Sequence, residues 1–154
     1  MAQQSEWAKS VALLQTINGI GPLTAYWLVT LTLNFSLCLK AESLVHFAGL
    51  APIERKSGTS VYSRPMIGHG GNGTLRSLLY MAAGSAIRYN PVIQAYYQEL
   101  RTKKGKPHKV ARCAAARKLV HLAYAVVTKG QPFDVEYALT KRQERQTAKV
   151  VKAD

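Results

Sequence analysis

Two short stretches carry residue types suited to phosphodiester chemistry: Ser57-Gly-Thr-Ser60, and the glycine-rich Ile67-Gly-His-Gly-Gly-Asn-Gly-Thr-Leu-Arg76. A serine hydroxyl is a weak nucleophile unless a base takes its proton or a cation stabilises the alkoxide. Arg55, Lys56 and Arg64 flank Ser57, and such cations also neutralise charge building on equatorial phosphate oxygens. Ser57 and Ser60 are both candidate nucleophiles. The glycines let the backbone approach an anion closely, the first N–H groups of the following helix point at it, and Arg76 adds a fixed positive charge. His69, between two glycines, suits a phosphate or backbone contact, with general-base chemistry as the lesser role. Asn72 is expected to cap the helix that follows. The plain alternative is that Ser57-Gly58 is a solvated turn.

The elements that must position these residues are mostly helices. Ser5 is placed to cap a first helix in which Trp7, Val11 and Leu14 share a face. Gly19 and Gly21 then make a tight turn, and Pro22 suits the first position of a second helix running toward Val29. An apolar residue, Gly, apolar residue, Gly and a helix, as in Ile17-Asn-Gly-Ile-Gly-Pro-Leu-Thr-Ala25, is the pattern of a helix-hairpin-helix. Such a motif grips a DNA phosphate through backbone N–H groups, here with Gly19, Gly21 and Thr24 at the contact. The competing reading is two packed helices joined by a glycine turn.

Further helices are expected over Lys40 to Phe47, Thr74 to Ile87, Pro91 to Leu100 and Lys109 to Thr128, the last ended by Gly130. Leu50 to Asn72 is a long Gly/Ser loop with room for at most a small β-hairpin around Val61 and Tyr62. The tyrosines at 80, 89, 96 and 97 fall at helical spacing and are expected to pack in the core. Residues 1–131 read as one domain. Residues 132–154 read as a charged tail, frayed from Lys141 onward. The fold class is mainly α-helical.

A chain of 154 residues, 47% hydrophobic, supports one core. Its net charge of +13, from 21 Lys and Arg against 8 Asp and Glu, points to a polyanionic partner, nucleic acid ahead of an anionic membrane surface. From Arg101 to Lys118 there is no acid, and Lys103, Lys104, Lys106, Lys109 and Arg112 are expected to track a nucleic-acid backbone. Cys38 and Cys113 have neither disulfide-framework nor zinc spacing, which suits a reducing, cytoplasmic home. The eight acids are scattered without a spacing that could pair metal ions, so no cofactor is assigned to this chain.

Gly49-Leu-Ala-Pro52, Ser57-Gly58, Gly68, Asn72, Leu75-Arg76 and Leu79 carry a family resemblance by their order and spacing. From about Leu13 to Val127 the sequence resembles the C-terminal half of the DEDD transposases of the insertion-sequence one-ten and one-sixteen group, relatives of Piv-type DNA invertases. The resemblance implies a serine that attacks the scissile phosphate, matched to Ser57 with Ser60 and Ser63 as alternatives. It also implies a RuvC-like N-terminal domain holding divalent metal, a guide RNA as a second partner, and oligomers. The carboxylate domain is not in this sequence, so the chain is expected to be a transposase fragment, a split product or a decayed reading frame, active only beside a RuvC-like partner. The competing functions are a non-catalytic DNA-binding module and a general RNA-binding basic protein.

Overall fold

The computed structural model describes residues 2–53, 56–57, 61–62 and 66–151. Among them are seven helices: α1 Ala2–Gln15, α2 Pro22–Leu31, α3 Ala41–Phe47, α4 Gly73–Tyr89, α5 Pro91–Thr102, α6 His108–Lys129 and α7 Val135–Val151. Four two-residue strands, β1 Pro52–Ile53, β2 Lys56–Ser57, β3 Val61–Tyr62 and β4 Met66–Ile67, fall between α3 and α4. The fold is mainly α, as the periodicity requires.

The centre of the domain is α6, which packs on α1, α3, α4 and α5. Its sequence explains that position. Ala111, Ala115, Ala116 and Ala123 are fully buried, and their small side chains let neighbouring helices approach, while Leu119 and Val120 fill the space between. Leu14, Ile17, Leu28, Leu44, Leu75, Leu79 and Ile93 complete the core from the surrounding helices. Each such side chain stabilises the fold by about 1.5–3 kcal/mol through its removal from water.

The helix boundaries follow local chemistry. Asn72 Oδ1 accepts from Leu75 N at 2.9 Å, so this residue caps α4 as expected. Gly130 closes α6 in the left-handed conformation, φ 63°. Asn90 ends α4 and begins α5: its Oδ1 accepts from Val92 N and Ile93 N at 3.1 and 3.4 Å, ahead of Pro91 at the first helical position. Asn90 is completely buried, and its Nδ2 donates to Asn18 O at 3.2 Å. Asn18 Nδ2 donates in turn to Tyr89 O at 3.1 Å. The turn between α1 and α2 is thereby stitched to the corner between α4 and α5.

Three expectations are corrected. Helix α1 starts at Ala2, so Ser5 lies inside it rather than at its cap. The tyrosines at 80, 89, 96 and 97 lie outside the buried core; Tyr89 is 69% exposed. Arg112 and Arg142 sit over the rings of Tyr80 and Tyr96, at 4.3 and 5.7 Å, which gives those two rings a cationic partner instead. Finally, the segment read as a frayed tail contains α7. Asp134 Oδ1 accepts from Tyr137 N at 3.1 Å to start it, and Phe133 N donates to Thr16 Oγ1 at 2.8 Å. Arg142 pairs with Glu99, and Gln146 Nε2 reaches the same carboxylate at 3.2 Å, fixing α7 to α5.

Candidate nucleic-acid interface

The connection between α3 and α4 is a small arm. β1 pairs antiparallel with β4, Pro52 opposite Ile67 and Ile53 opposite Met66; β2 pairs with β3, Lys56 opposite Tyr62 and Ser57 opposite Val61. The expected hairpin is therefore two nested strand pairs, with Lys56 and Ser57 on the pair farther along the arm. Ser60, Ser63, Arg55 and Arg64 lie outside the described residues.

The neck of the arm is built on glycine. Gly49, at φ 67°, and Gly71, at φ 80°, face each other so closely that a Cβ on Gly71 would stand 2.5 Å from the backbone of Gly49. Asn72 N donates to Phe47 O at 2.7 Å across the same gap. Arg76 closes it: Nη1 donates to the carbonyls of Gly49, Gly68 and Gly70 at 3.3, 3.1 and 3.0 Å. This edge of the guanidinium is engaged inside the chain, a different task from the phosphate contact expected of it. His69 is exposed, between Gly68 and Gly70.

At the α1–α2 turn, Gly19 has φ 111° and presses its α-carbon against Ala86 of α4, where a Cβ would come within 2.6 Å of the backbone. Gly21 is exposed with open space around it, and it caps α2 with no side-chain hydrogen bond to the first N–H groups. Thr24 is only 8% exposed, so its side chain faces the interior, while Leu23 beside it is exposed. Such an end of a helix attracts an anion through its N–H groups and dipole.

At the other end of α5 from Asn90, Lys103, Lys104, Lys106 and Lys109 are all exposed around the α5–α6 turn. Arg101 Nη1 ties this turn by donating to Lys106 O at 2.8 Å, and Tyr97 Oη meets His108 Nδ1 at 2.6 Å. Arg112 leaves the track: its Nε donates to Tyr80 O at 3.0 Å and its guanidinium lies against Gly84, bracing α6 on α4. Arg142 and Arg145 of α7 stand beside Lys118 of α6, a juxtaposition the sequence does not show. Burial, together with Arg145 and Arg142 beside it, pushes the Lys118 amine below its usual range. His121 is likewise lowered, by burial first, with Glu42 opposing and Arg117 and Lys118 reinforcing the shift. The basic residues of α7 were visible in the sequence, but only the docking of that helix brings them to Lys118. Burial raises both cysteine thiols, in Cys113 against the opposing effect of Arg112 and Arg76.

Residues 11–98, from α1 into α5, match the family model described as Transposase IS116/IS110/IS902. The chain belongs to this transposase family. It is similar to the pilin gene-inverting proteins of Moraxella lacunata and Moraxella bovis, each 38% identical over 125 residues, covering 80% of this chain and 38% of theirs. It is also similar to the insertion element IS110 uncharacterized 43.6 kDa protein of Streptomyces coelicolor, 29% identical over 117 residues, 76% of this chain and 28% of that one. The chain thus spans less than two-fifths of the length of these curated relatives. Within this transposase-family chain, the family match covers the α1–α2 turn, the arm and its glycine neck. The lysine turn, α6 and α7 lie beyond it.

Among the described residues no three His, Cys, Asp or Glu side chains converge, so the donor set does not fit a metal ion. No helix among them is long and apolar enough to cross a membrane.

Proposed function

We propose that this chain is the DNA-gripping, serine-bearing part of a transposase or invertase, acting in DNA transposition or recombination. Membership of the IS116/IS110/IS902 family supports this reading above all, and the net charge of +13 agrees with it. The α1–α2 turn serves as a helix-hairpin-helix: the N–H groups at the start of α2, beside Gly19 and Gly21, hold one phosphate. Lys103, Lys104, Lys106 and Lys109 hold a neighbouring stretch of backbone. Asn72 and Arg76 frame the arm, and Lys56, Arg64 and His69 meet phosphate along it.

Ser57 is the proposed nucleophile. Its Oγ bonds to the scissile phosphorus, the bond from phosphorus to the departing sugar oxygen breaks, and the Oγ proton passes to solvent while that oxygen gains one. The resulting phosphoserine keeps the energy of the broken ester for rejoining. Metal chemistry belongs, in this reading, to a RuvC-like domain that completes the site. A guide RNA, association of several copies and a cytoplasmic location belong to the same proposal.

The test is covalent trapping on a nicked DNA substrate, in complex with a RuvC-like domain. Wild type is expected to give a DNA adduct at Ser57, and Ser57→Ala to lose it completely while binding DNA with unchanged affinity. Joining retained in Ser57→Ala would overturn the assignment in favour of Ser60 or Ser63. DNA binding without any adduct would leave a non-catalytic module, and preference for structured RNA over duplex DNA a general RNA-binding protein.

A further inference from the structure

The strand pair nearest the neck of the arm presents two apolar side chains to solvent. Ile53 of β1 stands directly opposite Met66 of β4 in the antiparallel register, so both side chains leave the ribbon on the same side. The adjoining pair is Pro52 and Ile67, and Ile67 packs against the hydrophobic core. Successive side chains of a strand point to opposite faces, so Met66 is turned away from that core. Met66 is 69% exposed and Ile53 50%. Ile17, Ile20, Ile67, Ile87 and Ile93 are all buried or half-buried, which leaves Ile53 as the exposed isoleucine of the chain.

The pair has a firm base and a cationic setting. The end of the Ile53 side chain lies over Gly68, which has no Cβ to push it aside. The carbonyl of Gly68 is one of the three that Arg76 holds, so Ile53 rests on the tied neck. Between Pro52 and Gly70 the sequence carries Arg55, Lys56 and Arg64 against the single acid Glu54, and His69 is exposed there. Two side chains fall far short of the roughly 800 Å² per partner that a stable protein interface buries. They do match the space between two base pairs, and cationic proteins insert methionine and isoleucine there to kink a duplex.

We infer that Met66, backed by Ile53, is a wedge that enters duplex DNA and unstacks one base step close to the phosphate offered to Ser57. The inference rests on the function proposed above and adds to it how the arm deforms its DNA. Three residues separate Ile53 from Ser57, so their α-carbons are no more than about 14 Å apart. At 3.4 Å per base pair, the wedge therefore works within about four steps of that phosphate. Neither side chain can read a base edge by hydrogen bonding. Selection comes from the DNA instead, since pyrimidine–purine steps unstack and kink most easily.

The experiment uses the full chain and a duplex in which 2-aminopurine replaces the adenine of a central T–A step, with a fluorescent donor and acceptor at its two ends. Binding of the wild type is expected to brighten the 2-aminopurine, because stacking quenches it, and to bring the ends together through a bend of roughly 20–90°. Ile53→Ser with Met66→Ser removes the wedge from exposed positions, so the double variant is expected to keep the wild-type melting temperature and still bind the duplex through its cations, with brightening and bend both lost. Met66→Leu is expected to restore them beside an intact Ile53. Duplex binding by the wild type without brightening or bend would overturn the wedge and leave the proposed function standing. Brightening that survives in the double variant would equally overturn it, as would a wild-type dimer in sedimentation that the double variant reduces to a monomer, which would give the pair to a second copy of the chain. Failure of the wild type to bind the duplex at all would remove the proposed function and the wedge together.

Discussion

Arg76 illustrates how one side chain divides between frame and function. Its Nη1 holds the carbonyls of Gly49, Gly68 and Gly70, so the neck of the serine-bearing arm depends on it. Arg76→Ala is expected to cost about 2–3 kcal/mol and lower the melting temperature by roughly 5–10 °C, the scale of charge-assisted hydrogen bonds in a chain of this size. Arg76→Lys, which keeps a cation but loses the planar fork, should recover only part of that. Unchanged melting with weakened DNA binding would instead return Arg76 to the phosphate. The glycine spacing and the arginine were both visible in the sequence. That Gly49 and Gly71 meet was not, because the residues between them leave and return through the strand pairs.

At the scale of elements, α7 departs furthest from its expected form. Its residues are mostly charged or polar and leave only a narrow apolar edge, so periodicity alone gives little sign of a docked helix. Docking depends on groups from elsewhere: Thr16 for the approach at Phe133, and Glu99 for Arg142 and Gln146. Glu99→Gln should weaken this attachment by about 1 kcal/mol, between the limits for exposed and buried pairs. Hydrogen exchange is expected to read that as about fivefold faster opening in α7, with α6 unchanged. Equal acceleration in α6 would show that the two helices open as one unit. The helices bounded by Pro22, Pro91 and Gly130 behaved as their punctuation required, since those residues act on the backbone locally.

At the scale of the whole molecule, the charge excess must meet a counter-surface. If Lys103, Lys104, Lys106 and Lys109 each neutralise one phosphate, the logarithm of duplex affinity should fall with the logarithm of salt at a slope of roughly −3 to −4. Replacing all four by Gln should flatten that slope without disturbing the fold, because all are exposed; an unchanged slope would show that the phosphates are met elsewhere on the chain. The sequence by itself determined the helical class, most helix ends, the excess of positive charge and the family, since these depend on local backbone preferences, composition and motif order. Only the tertiary structure decided which cations turn inward, as Arg76 and Arg112 do, and which face outward. It alone brought Asn18 to Asn90 and α7 to α5. Those pairings join residues far apart in the chain, and their energies exist only once packing around α6 has set the distances.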